Sequence, residues 1–430
     1  MLASPLTIHF EVTDSCNNRC PHCYGSSWLE QTVKPKPPIA DVARHIAANN
    51  LFDVVITGGE PLLLGVDVLS GIFEIFNTNN ITYSLNTNGR LLNDRTCTEL
   101  ARAGLKGVLV SLHSWDDSVH DTMVNAANAA SETKAGIRNA IAHGLRVTVN
   151  QVIGTQNIHT MFATSSALVQ MGVHALSYSR LLSPLDVNYK ITMVSAKRFL
   201  DVYIKCKETL GVPVTSIIPI PYCADPRVKD LHEQLNCTGG MSSAAISCYG
   251  DVRFCPQDTR IWGNVFQEGL PAIWDRIVKW RADIAVPADC RDCSFVADCR
   301  GACRLASKVC FGDYSAKDPW AKNAQREYVR KVHYNEFKCD GPYALLPDIR
   351  WREEGGAFLL YSRNRFLLVN SDAVKFVGGL PRRFVPNDLD LGEEAKRQSL
   401  FRFLELMYQN GFLISIGREG GECAREAQAH

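Results

Sequence analysis

Short apolar and β-branched runs alternate with segments of helical spacing through the first half of the chain. Residues 6–12, 53–56, 82–85, 107–112, 146–152 and 175–179 read as strands, several of them followed by polar or glycine-rich residues. Between them, residues 41–49, 95–103 and 133–143 repeat apolar positions at helical intervals. Six strand–helix units in succession predict a parallel sheet with helices outside it. The expected fold class is α/β, a partial (β/α)6 barrel, because six units fall short of the closed eight-fold barrel. Ligands of such folds sit at the C-terminal ends of the strands. The residues just after each strand are therefore the ones to read for chemistry.

The pattern then changes twice. The stretch 212–223 carries three prolines and reads as a connector, and beyond it periodicity is weak apart from a helix near 273–281. Residues 345–417 regain order: strands at 349–353, 357–362 and 365–369, helices at 371–377 and 393–410, and Gly411 as a helix stop. The last residues, 418–430, are polar and expected to be a flexible tail. The length of 430 residues suits such a division into 1–211, 212–344 and 345–417. The last of these resembles a small winged-helix module.

Composition adds little until the cysteines are considered. The chain is 46% hydrophobic and 21% charged, with a net charge of +1. Nothing in that balance points to nucleic acid or to a membrane surface. No apolar run is long enough for a membrane helix, and the N-terminus does not resemble an export signal. A cytoplasmic location is expected. Sixteen cysteines are many for such a chain, and ten of them fall between Cys223 and Cys339. In a reducing compartment, clustered thiolates more often bind soft metals than form disulfides. A region with so little apolar pattern needs such staples.

Directly after the first strand come Cys16, Cys20 and Cys23, spaced C-x3-C-x2-C. Three thiolates can hold one face of an iron–sulfur cubane and leave the fourth iron open. A zinc site completed by His22 or a distant residue is the alternative. Strand ends two to six carry Thr57-Gly58-Gly59-Glu60-Pro61, Asn86-Thr87-Asn88-Gly89, Ser111-Leu112-His113, Asn150, and Ser179-Arg180.

Together these residues resemble the radical S-adenosylmethionine (radical SAM) family. The resemblance implies that Cys16, Cys20 and Cys23 hold a 4Fe–4S cluster whose open iron takes S-adenosylmethionine. Cleavage of that cofactor would yield a 5′-deoxyadenosyl radical that removes a hydrogen atom from a substrate carbon. Gly58, Gly59 and Glu60 would receive the methionine amino group, glycines allowing close approach and a carboxylate suiting an ammonium. His22 would meet the adenine through its backbone. Asn86, Ser111, Asn150 and Ser179 would line the rest of the cofactor. His113 departs from the family, which usually has an acidic residue there.

The later cysteines read C-x12-G-x4-C from Cys237 to Cys255, then Cys290, Cys293, Cys299 and Cys303 spaced C-x2-C-x5-C-x3-C. This resembles the SPASM extension, which implies two auxiliary 4Fe–4S clusters and three in all; structural zinc is the alternative. Carried over, Cys223, Cys237, Cys255 and Cys303 would hold the first auxiliary cluster. Cys290, Cys293 and Cys299 would hold the second. The family often supplies its last ligand from a DPYC-like segment, but here Asp318-Pro319-Trp320-Ala321 has no cysteine. Cys310 is then the candidate, with Cys339 next, or the cluster keeps an open iron. Cys248 is either a spare ligand or a hydrogen-donating thiol, while Cys97 and Cys206 read as core residues.

Residues 349–413 resemble PqqD-like modules that bind leader peptides, with a plain C-terminal cap as the alternative. The combined resemblance is to maturases of ribosomally synthesised peptides. It implies a precursor peptide partner bound through its leader and an external flavodoxin- or ferredoxin-type electron donor. The expected product is a side-chain Cβ cross-link, a cyclophane or a thioether. Epimerisation, excision, and oxidation of Cys or Ser as in sulfatase maturation remain alternatives. So does a zinc-stabilised peptide-binding scaffold without chemistry.

Overall fold

The computed structural model describes residues 2–25, 35–182, 194–231, 237–284, 286–322, 336–362, 365–392 and 394–416. It divides into two units, Met1–Val329 and Arg330–His430.

In the first unit, six strands fall on the six segments read from the sequence. They are β1 (Thr7–Glu11), β2 (Asp53–Thr57), β3 (Thr82–Thr87), β4 (Gly107–Ser111), β5 (Arg146–Ile153) and β6 (Ala175–Arg180). They lie parallel and in sequence order. The helices are α1 (Ile39–Ala47), α2 (Val66–Thr78), α3 (Asp94–Arg102), α4 (Asp117–Val124), α5 (Ala129–Ala142), α6 (Met161–Met171) and α7 (Ala196–Thr209). Local signals start several of them: the side chains of Asn93, Asp116 and Ser195 accept from backbone N–H groups of the first turn. Alternate strand residues such as Ile8, Phe10, Ile56, Val110 and Val149 join helix residues such as Phe73 and Ile137 in one buried core. The opposite strand face carries many small and polar side chains, among them Ser84, Asn86, Ser111, Asn150 and Ser179.

The sheet extends beyond those six strands on both sides. β7 (Val214–Ser216) lies inside the stretch read as a connector, and it pairs parallel with β6. Leu176 N–H bonds to Pro213 O at 2.9 Å, and Val214 is buried. Prolines here bracket a strand at the sheet edge, where a missing donor is tolerated. On the other side, β8 (Ser243–Ser247) pairs parallel with β1, from Thr7↔Ser243 to Glu11↔Ser247. β9 (Asp251–Arg253) and β10 (Gly263–Asn264) then run antiparallel in turn. The described residues thus form a ten-stranded sheet in the order β10-β9-β8-β1-β2-β3-β4-β5-β6-β7. The cysteine-rich segment begins by adding strands to the barrel, then continues through α8 (Leu270–Asp283), α9 (Val296–Cys299) and α10 (Arg304–Phe311).

The second unit has its own core, including Tyr343, Leu360, Val377, Leu404, Met407 and Phe412. β11 (Tyr343–Leu345) pairs with two short strands, β15 (Arg383–Phe384) and β16 (Leu413–Ser415). A separate antiparallel meander joins β12 (Arg350–Glu354), β13 (Ala357–Ser362) and β14 (Arg365–Val369). Helices α11 (Ser371–Gly379) and α12 (Glu394–Gln409) complete it. Residues 418–430, including Cys423, lie outside the described residues. Among the described residues no helix is long and apolar enough to cross a membrane.

Candidate metal centres

Cys16, Cys20 and Cys23 lie on the loop that leaves the C-terminal end of β1. Cys23 N–H bonds to Cys20 O at 3.0 Å, and Asn18 N–H points at Cys16 Sγ at 3.4 Å. Burial pushes the Cys20 thiol well up, and neighbouring Cys23 and Cys16 push it further. Burial also raises Cys16, against hydrogen bonds from Asn18 and Asn88. Three thiols that crowd one another in a desolvated loop ionise together only if cations join them. Among the described residues no three His, Cys, Asp or Glu side chains converge where a single ion could sit. Three thiolates on one short loop are a donor set that a 4Fe–4S cluster with one open iron can take.

The Gly-Gly-Glu turn is built onto this loop. Gly59 N–H bonds to Thr13 O and Glu60 N–H to Ser15 O, each at 2.7 Å. Gly58 has φ +132°, and a Cβ there would lie 2.4 Å from Thr13 O. A Cβ on Gly59 would lie 2.1 Å from Ser15 O. The close approach these glycines permit in the structure is to the backbone of the cysteine loop. The Glu60 carboxylate is fully buried and accepts from Leu62 N–H (3.1 Å), Thr87 Oγ1 (2.7 Å) and Asn88 N–H (2.7 Å). Burial raises its pKa, and those three donors hold it back.

Asn88 and Arg90 complete the clamp. Asn88 Nδ2 donates to Asn17 Oδ1 at 2.6 Å. Arg90 donates to Asn17 O (2.8 Å) and Asn18 Oδ1 (2.9 Å), and pairs with Glu132 at 2.6 Å. Sequence reasoning passed over Arg90; only the fold brings it to a loop some seventy residues upstream. Arg90→Ala is expected to lower the rate of S-adenosylmethionine cleavage roughly 10- to 100-fold, as loss of a partner behind a metal ligand does. Chromatography of 5′-deoxyadenosine would measure it, and an unchanged rate would contradict the clamp.

The remaining strand-end residues share one face. Register pairs Glu11 with Thr57, Ser111 with Asn150, and Val152 with Ser179, so Glu11, Thr57, Asn86, Ser111, Asn150 and Ser179 point to the same side. Ser179 Oγ lies 3.3 Å from Asn150 Oδ1. His22 meets His113 edge-on at 5.1 Å, and His113 lies 5.4 Å from His120. Burial holds His22 and His120 down at about 4 and pulls His113 well down too, so all three are neutral near pH 7. His113 Nδ1 accepts from Val152 N–H at 3.2 Å and so ties the end of β4 to β5. Cys248, just past β8, is buried, and burial pushes its thiol up to about 12.

The later cysteines form two groups. Cys255 is pushed well up by burial and then by Cys237 and Cys303, and Cys303 in turn by burial and Cys237. Cys303 caps α10, its sulfur accepting from Ala306 N–H at 3.4 Å. Cys223, expected in that group, lies with Cys290, Cys293 and Cys299 instead. Tyr222 stacks on Phe295 at 4.9 Å and its backbone bonds to Cys299, while Cys223 and Cys293 act on Cys290. Cys310, expected to complete this second group, sits on α10 beside Arg180 and Asp318. Cys339 belongs to the second unit. Cys97 and Cys206 are fully buried core residues.

Buried ion pairs join the cysteine-rich segment to the barrel. Arg180 at the end of β6 grips Asp318 with both guanidinium nitrogens and lies 4.4 Å from the Trp320 ring centre. Asp318 also accepts from Cys303 N–H (3.1 Å) and Trp320 N–H (2.9 Å). Glu11 on β1 pairs with Arg253 on β9, both buried. Arg304 is buried beside Cys237 and Cys303, Arg281 is buried next to Arg304 with its Nε donating to Gly239 O, and one guanidinium nitrogen of each has no partner among the described residues. Buried cations left short of partners suit an anionic cluster on those thiolates.

Residues 10–164 match the radical SAM superfamily, and residues 237–294 match SPASM, an iron–sulfur cluster-binding domain. The chain thus carries a radical SAM domain and a SPASM domain, which support S-adenosylmethionine and 4Fe–4S clusters as its cofactors. It is 23% identical over 346 residues to an AdoMet-dependent heme synthase of Methanosarcina barkeri, covering 74% of this chain and 97% of that one. It is 26% identical over 352 residues to the antilisterial bacteriocin subtilosin biosynthesis protein AlbA of Bacillus subtilis, covering 76% and 73%. In fold it is similar to Streptococcus suis SuiB bound to its precursor peptide SuiA: TM-score 0.60, 16% identity, 74% of this chain and 76% of that one.

Proposed function

We propose that this enzyme modifies a ribosomally synthesised precursor peptide whose leader docks on the second unit. The observation that carries the reading is β14, an edge strand that exposes Phe366 (45%) and Leu368 (56%). An apolar edge invites an added strand, and an extended peptide can supply one, with side-chain contacts to those two residues. AlbA is named for bacteriocin biosynthesis and SuiB was captured with a precursor peptide, which supports the same substrate class. Replacing Phe366 and Leu368 with Asp should weaken binding of a labelled leader peptide by about tenfold or more. Peptide-free cleavage of S-adenosylmethionine should not change. Unaltered anisotropy of the leader would refute the docking edge.

Three clusters are proposed, one on each cysteine group, with Cys16, Cys20 and Cys23 on the catalytic one. When bound, that cluster and S-adenosylmethionine supply the radical chemistry that removes a hydrogen atom from the substrate. Gly58, Gly59 and Glu60 receive the cofactor's amino group through their turn. Asn86, Ser111, Asn150 and Ser179 present polar groups from one sheet face, and the His22 backbone meets the adenine. The Glu60, Asn88 and Arg90 clamp keeps the loop from shifting. The proposed product is a Cβ cross-link, because bond formation releases one more electron and a proton than epimerisation does, and the two SPASM cysteine groups suit that electron's removal. A flavodoxin or ferredoxin would supply the priming electron.

Mass spectrometry of co-expressed peptide tests the product: a cross-link removes two hydrogen atoms, and epimerisation leaves the mass unchanged. A second reading, a substrate of heme synthesis, is favoured by the Methanosarcina relative. Turnover of that substrate with no peptide product would establish it instead.

A further inference from the structure

We infer that Cys223 supplies the fourth thiolate to the cluster of Cys290, Cys293 and Cys299, standing in space where Ala321 lacks a sulfur in sequence. The inference rests on the radical SAM/SPASM reading of these cysteines and deepens it.

Two sets of contacts bring Cys223 to this place. From one side, Lys322 N–H points at Cys223 Sγ at 3.2 Å, which puts the sulfur one residue from Ala321. The segment that presents Lys322 is held by Asp318. Its backbone oxygen accepts from Ala321 N–H at 2.7 Å, and its carboxylate accepts from Trp320 N–H and Cys303 N–H. From the other side, the preceding residue Tyr222 stacks on Phe295, which lies between Cys293 and Cys299 in the chain. The Tyr222 backbone also bonds to the Cys299 thiol. The sulfur is thus carried between the C-x2-C-x5-C loop and the segment where the family resemblance expects a cysteine. An N–H···S bond from Lys322 is the kind of contact that orients and steadies a thiolate ligand.

Two consequences follow for the other cysteines. Cys310, on the far end of α10 from Cys303, is not needed as a ligand. With Cys248 beside Asp14 and Glu11 instead, Cys237, Cys255 and Cys303 are left as three thiolates, so that group keeps an iron without a cysteine. The wild-type chain then has two cubanes with an open iron, that one and the catalytic one.

The test counts open irons in the full-length, anaerobically reconstituted protein without S-adenosylmethionine. Brief ferricyanide oxidation strips an iron that has no protein ligand and leaves a 3Fe–4S cluster, whose electron paramagnetic resonance signal is spin-counted. The wild type should give about two per chain and Cys223→Ala about three. Ala321→Cys alone should stay at about two, because the position is already served. Cys223→Ala with Ala321→Cys should return to about two, and Cys310→Ala should match the wild type. A fall to about one in Ala321→Cys would mean the second cluster was open and would overturn the inference. So would an unchanged count in Cys223→Ala, a changed count in Cys310→Ala, or a double variant that stays at about three. A wild-type chain that takes up no iron would refute the underlying cluster reading instead.

Discussion

Asp318→Ala is expected to destabilise the first unit by about 3–5 kcal/mol, the range for removing one partner of a buried charge pair. Arg180 and Asp318 are only 2% and 1% exposed, so neither charge has water to fall back on. The change would strand the Arg180 guanidinium, whose Nε already has no partner among the described residues. It would also remove the acceptor of Cys303 N–H and Trp320 N–H. The urea midpoint of cluster-loaded protein would report the loss. A double variant with Arg180→Met and Asp318→Leu should recover the part due to the stranded charge, since apolar pairs often replace buried ion pairs without penalty, but not the part due to the two backbone N–H groups. If the single variant unfolds at the wild-type midpoint, the pair does not hold the unit together.

Gly59→Ala is expected to act on chemistry more than on folding. Its methyl group would lie 2.1 Å from Ser15 O, and backbone cannot swing aside as a side chain can. The cysteine loop must shift, breaking the 2.7 Å bonds from Gly59 and Glu60 N–H groups to Thr13 O and Ser15 O. A displacement of about 1 Å near reacting groups lowers rates about 100-fold. 5′-Deoxyadenosine formation should fall by that order while the auxiliary clusters keep their absorbance. A variant with the wild-type rate would show that the loop tolerates the shift.

Much of this was legible in the chain because it is local. The strands β1 to β6 announce themselves by short apolar runs, and the motifs at their ends needed only to be adjacent to them. β8 escaped notice because Ser-Ala-Ala-Ile-Ser has small residues and little β-branching; its strand state comes from pairing with β1. β7 hid between prolines. The pairs that lock the site were invisible for another reason: Arg180 and Asp318 are 138 residues apart, and Arg90 and Asn17 are 73 apart. Neither member carries a local mark of its partner. The surroundings of Cys223 were equally invisible, because the contacts that place it, Tyr222 on Phe295 and Lys322 N–H at its sulfur, join distant parts of the chain.

Arg304, buried beside Cys237 and Cys303, and Arg281 next to it bear on how readily that group would be reduced. Arg304 is drawn below its ordinary pKa first by burial and then by Arg281, so the two guanidinium groups already feel each other's charge. An iron–sulfur cluster becomes more negative on gaining an electron, and fixed positive charge nearby stabilises the reduced form. A cluster on Cys237, Cys255 and Cys303 would therefore have a higher reduction potential with these arginines than with neutral residues in their place. Arg281 and Arg304 would make this group an electron sink within the molecule, drawing charge away from the barrel end where the radical forms.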